Sequence, residues 1–405
     1  MSEPAAPSTG LLRPWHFVLA FGVVSLLADM VYEGARSIIG PYLATLGASA
    51  TVVGLVAGAG ELIGYGLRVV SGYAVGRTRH YWSWTIAGYA LTVLSVPLIG
   101  VTGVLAPALL LYGTERLGKA VRSPAKDTLL SFASSQTGRG SAFGVHQALD
   151  QTGAVLGPLL LAAVLGWREG DYRLAFGVLV VPGLLVLVLL FWLRHRVPDP
   201  RLYEGTEVPD GSDPTPEVAG RPGGLPGRFW RYAGAVAVLS LGTASFPVLA
   251  FHAQTTGLLT DAQVPLLFAV AMLVDGLSGL VTGRVYDRRG ASTLLAVPVA
   301  AAFSAVAFAD DARWVWVGVA VWGVVNGVMD STLKAVVTTL VPAASRAVAF
   351  GWFAFVRGLG LLAAGGLLGF AYDQDRNLAA GLVVAVNAVA LPCLALALRG
   401  ARRPD

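Results

Sequence analysis

Continuously apolar runs, each about twenty or more residues long and broken by Gly, Pro or clustered charge, recur along the whole chain. They fall at about 15–39, 49–72, 82–103, 105–133, 141–166, 172–194, 229–255, 262–283, 291–309, 312–340, 346–371 and 377–399. A helix rises about 1.5 Å per residue, so about 20 apolar residues cross the hydrocarbon of a bilayer. The pattern therefore predicts twelve transmembrane helices and an all-α integral membrane protein. A membrane barrel would instead alternate polar and apolar positions over segments of about ten residues. Pro97, Gly100, Gly103 and Pro107 blur the turn between the third and fourth runs.

The polar segments divide this array. Residues 195–228 are rich in Pro, Gly and charge and lack an apolar period, so they read as a cytoplasmic linker. The expected order is an N-terminal tail (1–14), a six-helix bundle (15–194), the linker (195–228), a second six-helix bundle (229–399) and a C-terminal tail (400–405). With the N-terminus inside, seventeen arginines fall in inside loops and tails, among them Arg13, Arg77, Arg139, Arg194, Arg284 and Arg346. The outside loops hold Arg168, Arg173, Arg313 and Arg376. That asymmetry places both termini in the cytoplasm of a multi-pass protein of the cell (inner) membrane. Composition agrees: of 405 residues 55% are hydrophobic and only 13% charged, which excludes an ordinary soluble enzyme. The net charge of +5 then serves orientation rather than nucleic-acid binding. A single cysteine, Cys393, permits neither an intramolecular disulfide nor a cysteine metal cluster. Asp29, Glu33 and Arg36 interrupt the first run, which fits a cleaved signal peptide poorly.

The halves repeat each other. Gly72-Tyr-Ala-Val-Gly76-Arg77 follows the second run and Gly283-Arg-Val-Tyr-Asp287-Arg288-Arg289-Gly290 the eighth, while Arg139-Gly-Ser-Ala-Phe-Gly144 is matched by Arg346-Ala-Val-Ala-Phe-Gly351. The offsets, 211 residues from Gly72 to Gly283 and 207 from Arg139 to Arg346, are nearly equal, as a duplicated six-span unit requires. Twelve spans in two repeats, a central linker and these loops resemble the major facilitator superfamily of secondary transporters, over roughly residues 15–399. Gly283, Asp287 and Arg288 match the family's loop signature, whereas Gly76 stands where its first-half copy carries an acid. Gly153-Ala-Val-Leu-Gly157-Pro158 is similar to the core of its antiporter motif, with Leu161 and Ala162 in place of the trailing glycines. The stretch from Glu115 to Asp127, with Ala142 to Asp150, resembles a prokaryotic, exporter-like branch. The resemblance implies a gating contact between Arg77 and Asp127.

Eight acids and eight bases lie within the apolar runs, twelve of the sixteen in the first half. A charge at the bilayer centre costs about 2.5–3.5 kcal/mol even on lenient scales, so these groups must face a cavity or one another. Asp29, Glu33 and Arg36 share one face of the first helix, and Glu61 lies mid-membrane on the second with Arg68 two turns on. Carboxylates crowded in low dielectric do not all ionise, so Asp29, Glu33 and Glu61 are expected proton sites, with structural pairing to Arg36 or Arg68 as the alternative. Glu115, Lys119, Arg122 and Lys126 form a stripe on the fourth helix that suits an anionic solute or neighbouring acids. His146 and Asp150, four apart, form an expected proton relay, since imidazole titrates near about pH 6.5. The expected cavity residues are Arg36, Arg68, Lys119, Arg122, His252, Asn326, Asp330, Lys334 and Arg357. Asp330 and Lys334 can pair at i, i+4; Arg357 needs an acid from another helix, Asp275 or one of the first half. Glycines at four-residue spacing (Gly54 and Gly58, Gly153 and Gly157, Gly323 and Gly327) permit close helix approach, and Tyr32, Tyr65 and Trp322 suit a cavity wall.

These features predict a proton-coupled transporter of a small solute, working as an efflux antiporter or, with the same sites, as an importing symporter. An intramembrane enzyme or a lipid scramblase is the remaining class, and the chain carries no H-E-x-x-H, no G-x-S-x-G and no Walker sequence. No enzyme activity, metal or cofactor is expected, the proton gradient serving as energy source. The expected partners are a small-molecule substrate and the bilayer, with no nucleic acid, the chain acting as a monomer by analogy with its class.

Overall fold

The computed structural model describes residues 12–204, 224–342 and 345–399. Most of the 195–228 linker and nearly all of both tails lie outside the described residues. The first bundle comprises α1 (Pro14–Thr45), α2 (Ala50–Thr78), α3 (Tyr81–Ile99), α4 (Leu105–Thr137), α5 (Arg139–Trp167), and the pair α6 (Tyr172–Val178) and α7 (Val180–Arg196). The second comprises α8 (Gly227–Leu241), α9 (Phe246–Thr255), α10 (Gln263–Arg289), α11 (Ala296–Phe303), α12 (Ala312–Leu340), α13 (Arg346–Gln374) and α14 (Arg376–Leu398). Three spans are broken: α6 with α7 forms the sixth and α8 with α9 the seventh. Residues 290–308, with α11 between two 3-10 turns, form the ninth. That makes twelve crossings. Among the described residues ten stretches are long and apolar enough to cross a membrane. The count rises to twelve because α4 carries too much charge to pass, and the stretch 263–308 holds two crossings.

Local chemistry sets the ends. Pro14 begins α1, where its missing N–H costs nothing. Ser49, Asp171 and Asp375 each cap the helix that follows, accepting the amides of Val52, Leu174 and Asn377. Gly47 turns the chain between α1 and α2 at φ 82°, where a side chain would be strained. The break between α8 and α9 exposes carbonyls that lipid cannot satisfy. Asn387 of α14 donates to Gly242 O at 2.8 Å, and the Trp322 indole donates to Ala244 O at 2.7 Å.

The bundles meet along a seam where α2 packs on α13, α1 on α9 and α5 on α10. Glycine makes the approach possible. A Cβ on Gly54 would stand 2.8 Å from the carbonyl carbon of Gly365, and one on Gly58 2.7 Å from Leu362 Cα. Within the first bundle Gly153 and Gly157 lie against α1, and within the second Gly323 and Gly327 lie against α10. Of the sixteen embedded ionisable groups, only Asp127, Asp330 and Lys334 are exposed.

Candidate functional site

A cavity of about 200 Å³ lies at the seam. From the first bundle α1 contributes Asp29, Tyr32, Glu33 and Arg36; α2 contributes Glu61 and Tyr65; α4 contributes Tyr112 and Lys119; α5 contributes Gln147, Asp150 and Gln151. From the second, α10 contributes Met272 and Asp275, α12 contributes Trp322, Asn326 and Asp330, and α13 contributes Arg357.

Five of the first-bundle charges form one network. Arg36 reaches Glu33 at 3.6 Å and Glu61 at 3.1 Å; Arg116 reaches Glu61 at 3.7 Å and Glu115 at 2.7 Å. Glu61 is therefore the carboxylate that joins α1, α2 and α4. Glu33 keeps one oxygen, Oε2, buried without a hydrogen-bond partner. Asp29, 3% exposed, accepts from the Tyr32 hydroxyl at 3.3 Å. Lys119 rests 4.0 Å from the centre of the Tyr32 ring, a cation–π contact that leaves its ammonium facing the cavity. In the second bundle Arg357 donates to Asp330 at 2.9 Å and stacks 5.4 Å from the Tyr65 ring across the seam.

Among the expected cavity residues Arg36, Lys119, Asn326, Asp330 and Arg357 line it, and four others do not. Arg122, 3% exposed, turns to the Tyr89 ring at 4.2 Å. Arg68 stacks on the outside of Tyr65 at 5.3 Å. Lys334 is exposed, because Asp330 pairs with Arg357 rather than with the lysine one turn on. His252 is fully buried between α9 and α13, sharing a hydrogen bond with the Tyr372 hydroxyl at 2.9 Å and facing Ala309 O at 3.2 Å. Of the expected proton sites Asp29, Glu33, Glu61 and Asp150 line the cavity and His146 does not. His146 Nε2 lies 3.2 Å from the Lys126 ammonium and 3.3 Å from Ser25 Oγ. Its Nδ1 is buried without a hydrogen-bond partner, and among the described residues no hydrogen bond joins it to Asp150. Gln147 and Gln151 line the cavity unanticipated, their only signal a polar side chain inside an apolar run; Asp275, expected as a candidate partner of Arg357, also lines it, but Arg357 pairs with Asp330 instead.

The motif residues sit apart from the cavity. Gly153 and Gly157 set the closeness of α5 to α1, with Pro158 inside α5. Gly283, Asp287 and Arg288 end α10, where Asp287 and Arg288 are exposed. Arg77 and Asp127 are both exposed, and among the described residues no ion pair joins them. The contact expected there is not made in this conformation.

Hydrogen bonds across the seam have a polarity of their own. At the end remote from the linker, Asp373 accepts the amides of Ala50 and Thr51, both at 2.9 Å, and the Tyr172 hydroxyl donates to Asp261 at 2.7 Å. Mid-seam, Gln151 donates to Met272 O at 2.5 Å. These cross-seam bonds lie at the far end and midway along the seam. The cavity is shut on the far side.

Twelve helices in two bundles around a polar, seam-centred cavity define a membrane transporter rather than an enzyme. The family model described as Major Facilitator Superfamily matches residues 21–365, and the chain belongs to that superfamily. An uncharacterized protein of Mycobacterium tuberculosis (strain H37Rv) is 49% identical over 396 residues, covering 96% of this chain and 95% of the relative. A crystal structure of a mutant of the nucleoside transporter NupG is similar in fold, with a TM-score of 0.75 at 11% identity, covering 93% of this chain and 99% of that one. A bacterial homologue of the human lysosomal transporter Spinster, in an inward-facing and occupied conformation, gives a TM-score of 0.69 at 18% identity, covering 98% of each chain.

Proposed function

We propose that the protein is a proton-coupled antiporter that exports a small solute by alternating access, acting as a monomer in the cell membrane with both termini cytoplasmic. The observation that carries this reading is the seam cavity, in which Asp29, Glu33 and Asp150 stand where a proton and a solute can compete. A buried polar atom without a partner costs about 1–3 kcal/mol and more when it is charged, and a proton on Glu33 Oε2 lowers that cost by removing the charge. Glu61, held between Arg36 and Arg116, transmits the change: neutralising Glu33 frees Arg36 to move fully onto Glu61. Basic loops at the linker end support a cytoplasmic assignment for that side, and the far-side seal then supports an inward-facing state. The cycle needs no cofactor. Protons enter from outside when the far side opens, load the acids, and leave to the cytoplasm as solute binds.

Proteoliposomes loaded with a bacterial metabolite extract test this. With an imposed pH gradient at least one small solute should leave, and a protonophore should stop it. Flux that ignores the protonophore overturns the coupling, and flux only in the direction of the proton overturns antiport in favour of symport.

A further inference from the structure

The buried charges do not balance evenly between the halves. In the first bundle five acids, Asp29, Glu33, Glu61, Glu115 and Asp150, stand with six bases, Arg36, Arg68, Arg116, Lys119, Arg122 and Lys126, all buried or half-buried. In the second, the acids that line the cavity are Asp275 and Asp330, and the base is Arg357. Arg357 is engaged by Asp330 at 2.9 Å, and Lys334 is exposed and does not line the cavity. Asp275 is left without a counter-charge.

Its surroundings sharpen the point. Among the described residues the Asp275 carboxylate makes no hydrogen bond and no ion pair; its backbone carbonyl alone is bonded, by Ser278. The charged groups that act on it are Asp330 and Arg357 of its own half and Glu33 and Arg36 across the seam. Both cations already hold carboxylates, Arg36 those of Glu33 and Glu61. An uncompensated carboxylate in low dielectric is stabilised most by a cation brought to it. The same cavity presents the Trp322 ring from α12 and the thioether of Met272 one turn before Asp275, while the Tyr32 and Tyr65 rings of the other half already meet Lys119, Arg68 and Arg357. Aromatic faces attract organic cations and cover their apolar parts. The volume, about 200 Å³, exceeds the roughly 150 Å³ that accommodates benzene.

We infer that Asp275 is the cation anchor of the seam cavity, and that the solute is a monovalent organic cation, an ammonium or its like joined to an apolar or aromatic group. The inference deepens the transport reading, on which it rests in taking this cavity as the solute's chamber. Asp275 holds the positive head from the second bundle while Trp322, with Ala57 and Ala154 of the other half, receives the apolar part, so the occupant touches both halves.

Equilibrium binding on the purified full chain tests the anchor, with benzyltrimethylammonium and phenylacetate as probes, a similar ring with opposite charge. Thermal stabilisation and quenching of tryptophan fluorescence should report the cation and not the anion. Affinity for the cation should fall about tenfold or more in Asp275→Asn, the loss expected for one charge contact, and be kept within a few-fold in Asp275→Glu. Should the asparagine variant fail to fold, the wild-type protein alone decides: lowering the pH must weaken cation binding, because the proton takes the same carboxylate. Phenylacetate binding as well as the cation, equal cation binding by wild type and Asp275→Asn, or no cation binding at any pH overturns the inference. Proton-driven export of an uncharged solute with no cation binding defeats the anchor and spares the transport reading. Cation binding without proton-driven flux does the reverse.

Discussion

Asp373 and Thr51 belong to different halves of the chain, yet Asp373 accepts both the Thr51 amide at 2.9 Å and the Thr51 hydroxyl at 2.5 Å. With the Ala50 amide added, one carboxylate at the end of α13 satisfies two of the orphan donors that begin α2. The helix N-terminus is electropositive, so the contact is electrostatic as well as geometric. The contact joins the two halves at the far end of the seam, so we expect it to act as a latch on that side. Asp373→Ala removes about 0.3–1 kcal/mol of anion–helix stabilisation, enough to raise the far-side-open population by up to about fivefold. Spin labels at Thr45 and Gln374, in a Cys393→Ser background, should show a longer distance component in the variant. An unchanged distribution would mean that other contacts hold the seal.

Backbone contact between α2 and α13 leads to a second expectation. Since a Cβ at Gly54 would meet the backbone of Gly365, Gly54→Val should keep the far side from closing while leaving each bundle intact. Solute flux should fall about tenfold or more, for a barrier change of about 1.4 kcal/mol or larger, with little change in helix content by circular dichroism. Gly64→Ala is the control. Its Cβ meets nothing within 4 Å, and replacing a mid-helix glycine by alanine is worth about 0.5–1 kcal/mol in favour of the helix.

The twelve spans were legible in the sequence because a bilayer forces long apolar runs, and the charged α4 was legible as a cavity wall because its ionisable groups cannot face lipid. The breaks in the sixth, seventh and ninth spans were not. Carbonyls at Gly242 and Ala244 are satisfied by Asn387 and Trp322, which lie more than seventy residues away in the chain. Helical periodicity finds the face a residue occupies but not the helix that opposes it. For that reason Asp330 could be assigned a local partner, Lys334, while the structure gives it Arg357. Arg122 fits the α4 stripe by spacing, yet α3 brings Tyr89 to it and withdraws it from the cavity. Asp275 carried no local motif at all, and only the placement of Arg357 reveals that it has no counter-ion.

Glu33 and Glu61 share Arg36 but should behave differently when neutralised. Glu61→Gln removes the acceptor common to Arg36 and Arg116, leaving two guanidinium groups short of charge, and breaking a buried pair in this way costs about 3–5 kcal/mol. The variant should melt at a clearly lower temperature in detergent, followed by tryptophan fluorescence, and Glu61→Gln combined with Arg36→Gln should recover part of the loss. Glu33→Gln removes a weaker contact of 3.6 Å and offers an amide to the orphaned position. It should melt within a few degrees of wild type and lose the dependence of flux on the pH gradient. If both variants keep proton-driven flux, the coupling assignment to these acids is wrong.

Tyr65 makes the last distinction, between a ring and its hydroxyl. Its face lies between Arg68 at 5.3 Å and Arg357 at 5.4 Å, so one ring on α2 attracts a guanidinium from its own half and another from across the seam. The attraction comes from the ring quadrupole and needs no hydroxyl; it is worth about 0.5–2 kcal/mol depending on how dry the site is. Arg357 is 6% exposed and already bound to Asp330, so its position is fixed and the contact depends on where α2 stands. If the bundles rock as proposed, movement of α2 relative to α13 changes this contact. Tyr65→Phe should transport within about twofold of wild type, while Tyr65→Leu, equally apolar but without a quadrupole, should slow exchange by about threefold to tenfold, the rate equivalent of roughly 0.7–1.4 kcal/mol. Solute counterflow in proteoliposomes at matched protein density gives both numbers. If leucine is tolerated as well as phenylalanine, the ring serves as filler and the cross-seam cation contact has no part in the cycle.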